Sequence, residues 1–203
     1  MNHPTIGFLG GGRIARIFLL GWTRAHVLPA RIVVADPNAE TLAKLQARFP
    51  SIDVTADLAV AAAQDVVFLA THPPALAAAA GSAAAALKST AILVSLAPKF
   101  TIAKLTALLG GFGRIARSNP NAPSVVGAGF NPIVFAPALT SADRATIAAL
   151  LAPLGDSPEV AEEKIEAFAV FTAMDRPTSG SRCKRYAKSP FPSGSPKPRP
   201  TPA

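Results

Sequence analysis

The chain has 203 residues, half of them hydrophobic, a formal net charge of +8 and a single cysteine, Cys183. That length carries one or two domains with a real core, and one cysteine excludes an intrachain disulfide and a cysteine-built zinc site, so no metal centre is expected. Residues 175–203 hold seven Lys or Arg against one Asp, a net of +6, which leaves +2 for residues 1–174. The body is nearly neutral, and nucleic acid is not its expected partner.

Residues 5–9 read as a short buried strand, followed by Gly10-Gly11-Gly12 and a helical run over residues 13–22. Gly10, Gly12 and Ala15 fill a G-x-G-x-x-A pattern. The first glycine permits a tight turn out of the strand, the second lets backbone approach a pyrophosphate, and the small third residue packs the helix close to the strand. Arg13 and Ile14 would then present helix-start amides to phosphate, where the helix dipole favours negative charge. Trp22 is expected in the core or in helix-end packing rather than against a cofactor. Residues 31–36 form a second strand ending in Asp36, 24 positions after Gly12. An acid there accepts hydrogen bonds from ribose hydroxyls and repels a 2′-phosphate, and no Lys or Arg follows at once in Pro37-Asn38-Ala39-Glu40. The lean is therefore to NAD over NADP. Asp36, Pro37 and Asn38 also read as a turn capping a helix over residues 40–48.

A third strand over residues 52–55 and a short helix over 57–63 lead to a fourth strand over 65–70, continuously apolar as a central parallel strand is. It ends in Ala70-Thr71-His72-Pro73, where open α/β sheets hold their ligands. A helix over 74–88, a strand over 90–96, a helix over 101–109 with Thr101 as its cap, and a sixth strand over 113–117 follow. The loop over 118–129, stiffened by Pro120 and Pro123, reads as a ligand wall. A further strand over 131–136, a helix over 141–154 with Asp143 as an ordinary surface charge, an edge strand over 158–160 and a helix over 162–174 complete the pattern. Strands alternating with helices predict an α/β, doubly wound Rossmann-type parallel sheet. The most apolar helical stretch, residues 74–87, is too short to span a bilayer, which takes about 20 apolar residues. No membrane association is expected, and with no secretory pattern at the start the expected setting is cytoplasmic.

Taken together, Gly10-Gly11-Gly12-Arg13-Ile14-Ala15, Ala70-Thr71-His72-Pro73 and the run from Arg117 through Asn119-Pro120-Asn121-Ala122-Pro123 to Val126-Gly127-Ala128-Gly129 resemble pyrroline-5-carboxylate reductases over about residues 4–174. The resemblance implies an NAD(P)-dependent reductase that delivers hydride to the C=N carbon of a cyclic imine in proline biosynthesis. It implies cofactor contacts from Gly10, Gly11, Gly12, Arg13, Ile14, Asp36, Pro37, Ala70, Thr71, His72, Pro73, Asn119, Pro120 and Asn121. It further implies a second, helical domain that holds substrate and builds a dimer. That domain's opening matches at Thr172-Ala173-Met174, which makes Thr172 the substrate-contacting candidate. His72 stands where the family has lysine, and Pro98-Lys99-Phe100 where it has a glycine-containing turn.

The expected organisation is a dinucleotide-binding domain over residues 1–158, the start of a helical domain over 159–174, and a Pro/Lys/Arg-rich disordered tail over 175–203. The tail's abrupt onset after Met174 reads as a reading-frame change that truncates a two-domain enzyme, leaving little or no turnover and an uncertain oligomeric state. The alternatives are a reductase with another substrate, including a deazaflavin carrier, and a non-catalytic nucleotide-binding module with a basic tail.

Overall fold

The computed structural model describes residues 4–71 and 73–174. Six parallel strands come first: β1 (Ile6–Leu9), β2 (Ile32–Ala35), β3 (Asp53–Thr55), β4 (Val66–Leu69), β5 (Ile92–Ser95) and β6 (Ile115–Ser118). With β8 (Ile133–Phe135) they make a seven-stranded sheet in the order β3-β2-β1-β4-β5-β6-β8. The order reverses between β1 and β4, the crevice in which doubly wound folds bind ligands. β8 runs antiparallel to β6, pairing Arg117 with Val134, so the sheet is not wholly parallel. A second small sheet joins β7 (Gly129–Phe130) to β9 (Gly155–Asp156).

Two apolar layers flank the sheet. On one face α1 (Arg13–Arg24) lays Phe18 and Trp22 against Phe8 of β1 and Phe68 of β4. Phe8 and Phe68 stack at 4.9 Å and Phe18 meets Trp22 edge-on at 5.4 Å. Trp22 is buried, as expected, and its indole N–H donates to the Leu150 carbonyl at 2.7 Å. On the other face α3 (Leu58–Ala62), α4 (Pro73–Ala84) and α5 (Ile102–Leu108) cover Leu69, Leu93 and Ile115. Alanines at 61, 62, 79, 80 and 83 supply this contact, and small side chains let backbones approach closely. Gly7 of β1 faces the Ala61 carbonyl directly, with no room for a Cβ.

Polar side chains set the helix starts. Asn38 caps α2 (Ala39–Arg48), Asp57 caps α3 and Thr101 caps α5. Thr140 and Asp143 form a reciprocal capping box at α6 (Ser141–Leu151). Asp143 is therefore not an ordinary surface charge: it also pairs with Arg114 at 2.7 Å. Burial raises the Asp143 carboxyl, but the hydrogen bonds from Thr140 and the Arg114 charge outweigh it, and its pKa is lowered. At the foot of the sheet, Asp65 joins the starts of β1 and β4 by accepting from the Thr5 amide and hydroxyl and from Lys88. The Lys88 hydrogen bond above all holds its pKa down at about 2.

Three further segments differ from the sequence reading. The loop over 118–129 contains a 3-10 turn, Ala122–Val126, closed by Gly127 in the left-handed region. The helix begun at Ser141 gives way to a 3-10 turn at Ala152–Leu154, where Pro153 removes a donor. Residues 158–160 make one bridge, Ile133 to Glu159, rather than a strand. The last helix, α7 (Glu162–Met174), packs Phe168 on Phe130 at 5.4 Å. The proposed tail over residues 175–203 lies outside the described residues.

Candidate functional site

The carboxyl ends of β1, β2, β4 and β6 carry every described candidate but Thr172, so the topology brings them to one edge of the sheet. At the end of β1, Gly10 has φ +107, and an added Cβ would meet the Ala70 carbonyl oxygen at 2.8 Å. Here the chain needs glycine to turn against β4. Gly11 packs under Leu45 and Thr41 of α2. Gly12 is different: its φ of −71 suits any residue, and a Cβ would meet nothing within 4 Å. Internal packing thus accounts for Gly10 and Gly11 but not for Gly12, whose free side faces open space.

Gly12 is also the N-cap of α1 and offers no side chain to its first-turn amides. No acid lies in that turn. The amides of Arg13 and Ile14 are left for an external acceptor, with the helix dipole behind them. This edge fits a phosphate group, and it does so through backbone alone.

Asp36, just beyond β2, accepts from the Gly11 amide at 2.8 Å through one oxygen and from the Asn38 amide at 2.9 Å through the other. These bonds bear out the turn-and-cap reading, with Asn38 supplying the cap of α2. The carboxylate is held beside the glycine turn, and Pro37-Asn38 turns the chain into α2. Ala70 and Thr71 close β4 next to Gly10, and Pro73 opens α4. The Thr71 hydroxyl is buried and meets no hydrogen-bond partner among the described residues. His72 and the side chain of Thr172 lie outside the described residues; Thr172 itself falls within α7.

Beyond β6, Asn119, Pro120 and Asn121 start the 3-10 segment. The Asn119 amide donates to the Pro132 carbonyl, the Asn121 side-chain oxygen accepts from the Phe130 amide at 3.1 Å, and Ser124 donates to buried Asn131 at 2.8 Å. This wall is braced internally. It stands three strand positions from β1, roughly 14 Å at the usual strand spacing, so the candidate residues are spread along the edge rather than gathered at one point. One group escaped the sequence reading: Glu162 and Glu166 of α7, which converge on Arg117 of β6 at 2.8 and 2.7 Å. Their i, i+4 spacing was the available signal.

Among the described residues there is no group of three or more His, Cys, Asp or Glu that could hold a metal, and no helix long and apolar enough to cross a membrane.

Comparison with known proteins agrees with the geometry. The family model described as NADP oxidoreductase coenzyme F420-dependent matches residues 5–99. A curated relative, pyrroline-5-carboxylate reductase of Haemophilus influenzae, is 33% identical over 167 residues, covering 80% of this chain and 60% of the relative. The solved pyrroline-5-carboxylate reductase of Coxiella burnetii superposes with a TM-score of 0.77 at 26% identity, covering 84% of this chain and 64% of that one. The Plasmodium falciparum pyrroline carboxylate reductase, solved with NADP bound, shares the fold with a TM-score of 0.75 at 17% identity, over 92% of this chain and 67% of that one. This chain thus spans about 60% of the curated relative's length, and over that part it is similar to pyrroline-5-carboxylate reductases in sequence and in fold.

Proposed function

We propose that this chain is the cofactor-holding part of a nicotinamide-dependent reductase whose substrate is a cyclic imine of the pyrroline-5-carboxylate type. The observation that carries the reading is Gly12, a glycine that the fold does not need, beside helix-start amides without an internal acceptor. The relatives' names supply the substrate class. A reduced nicotinamide bound along this edge supplies a hydride for the C=N carbon.

The chain's own residues do the holding. Gly12 and the amides of Arg13 and Ile14 take the pyrophosphate. Asp36 takes the adenosine ribose, with Gly11 fixing its carboxylate in place. Ala70, Thr71 and the braced wall at Asn119-Pro120-Asn121 border the reactive half, and the buried Thr71 hydroxyl offers that half a hydrogen bond. Thr172, carried over from the family pattern, is the proposed substrate contact. Asp36 favours NADH, since a 2′-phosphate beside a carboxylate meets like charge. Calorimetric titration with NADH and then NADPH tests the reading: binding is expected, tighter for NADH, and no binding of either refutes it.

The match to the F420-dependent family supports a second reading, in which the same edge holds NADP and the partner substrate is a deazaflavin carrier. Tighter NADPH binding, with reduction of a deazaflavin and not of the imine, would select it.

A further inference from the structure

The β5–α5 connection turns at Pro98-Lys99-Phe100. Lys99 sits there at φ +68, the left-handed region that disfavours a residue with a Cβ. The turn keeps a backbone shape suited to glycine while carrying lysine. Two glutamates of α7 hold it. One Glu166 oxygen accepts from the Lys99 amide at 2.7 Å and from the Arg117 guanidinium at 2.7 Å. One Glu162 oxygen accepts from the Ile102 amide at 2.7 Å and from the same guanidinium at 2.8 Å. Arg117 is 3% exposed and rises from β6, the strand beside β5. A buried arginine thus gathers two carboxylates, and each carboxylate passes the connection on to one amide at either end of the turn.

The position of this clasp gives it a role. With the adenosine ribose at β2 and the pyrophosphate at the start of α1, the remaining half of a dinucleotide lies over β4, β5 and β6. The Lys99 turn is at the carboxyl end of β5, in the middle of that half. We propose that Arg117, Glu162 and Glu166 are positioning residues: they set the Lys99 turn as a wall of the nicotinamide half of the site, and so make α7 part of the binding geometry without touching the ligand. This rests on the dinucleotide reading above. It adds to that reading a fixed link between the helix that follows the fold and the loop that faces the cofactor.

The test separates the two halves of the ligand. NADH reports on the whole site, whereas ADP-ribose lacks the nicotinamide and reports on the Asp36 and Gly12 half alone. Each is titrated against the full chain and against Glu166→Ala, which removes the acceptor for the Lys99 amide but leaves Glu162 on Arg117. NADH binding is expected to weaken about fivefold or more, as loss of a charge-assisted hydrogen bond implies. ADP-ribose binding is expected to stay within about twofold on the same reasoning. Glu166→Gln keeps an oxygen for the amide and is expected to recover most of the NADH affinity. Equal weakening of both ligands, meaning general loosening, overturns the proposal, as does unchanged NADH binding. If the unaltered chain binds neither ligand, the dinucleotide reading itself fails and the clasp loses its proposed role with it.

Discussion

Two glycines of one turn are expected to answer the same substitution in opposite ways. Gly10→Ala places a Cβ at φ +107 and 2.8 Å from the Ala70 carbonyl oxygen. The left-handed backbone costs an L-residue about 1–2 kcal/mol. The backbone contact brings the total to about 3 kcal/mol, since overpacking against main chain relaxes poorly. Gly12→Ala has an ordinary φ and open space around the new methyl group, so stability is expected to change by less than about 1 kcal/mol, the scale of a cap substitution. Its cost falls on the ligand instead. A methyl group that pushes a phosphate off one amide removes a charge-assisted hydrogen bond of about 2 kcal/mol, close to thirtyfold in Kd. Urea unfolding without ligand can be followed by the emission of Trp22, the single tryptophan, which is 1% exposed. NADH titration supplies the second axis. If Gly12→Ala unfolds as readily as Gly10→Ala, or binds NADH as the unaltered chain does, the argument from open space is wrong.

Asp36→Asn removes the charge that opposes a 2′-phosphate, and the NADPH-to-NADH affinity ratio is expected to rise about tenfold, or ~1.4 kcal/mol, in parallel titrations. Acid unfolding should show Asp65. Its folded pKa of about 2 lies below the ordinary carboxylate value, so its stabilisation is complete above the unfolded pKa near 4 and is lost as pH falls toward 2. Asp65→Asn should flatten the unfolding midpoint across that window. The effect will be modest, because the Asp65–Lys88 pair is close to half exposed and solvent screens it. Lys99→Gly relieves the left-handed strain less the added chain entropy of glycine, and thermal unfolding is expected to show a gain of about 0.5 kcal/mol. Thr140→Ala breaks the α6 capping box, with an expected loss of about 1 kcal/mol by the same measurement.

What the sequence disclosed follows from how local each signal was. β1, β2, β4 and β5 are short, continuously apolar runs bounded by turn residues. Such runs are legible because a strand covered on both faces favours apolar side chains, Ser95 at the end of β5 being an exception. The glycine turn was legible because its demands on φ and on space fall within six residues. The direction of β8 was not, since pairing to β6 depends on a return of the chain through the 3-10 segment rather than on the strand's own residues. The clasp was hidden for a related reason: Arg117, Lys99 and Glu166 are far apart in sequence, and no local pattern joins them. Asp143 misled in the same way. Its value comes from Thr140 three residues before it and from Arg114, just ahead of β6, and only the first of these is local.

The two rims of the main sheet are finished differently. At the start of β8 the passing chain takes up the groups of Ile133: its amide donates to the Pro158 carbonyl, and its carbonyl accepts from Val160. At the opposite rim β3 has three residues and presents Asp53, exposed beside Arg31. A short border strand bearing charge is a poor template for a second chain, because pairing would strip that carboxylate of water. One rim is partly covered and the other is inhospitable. Both finishes disfavour edge-to-edge pairing of two sheets, and conversion of Asp53 to a β-branched apolar residue is the change expected to weaken that protection.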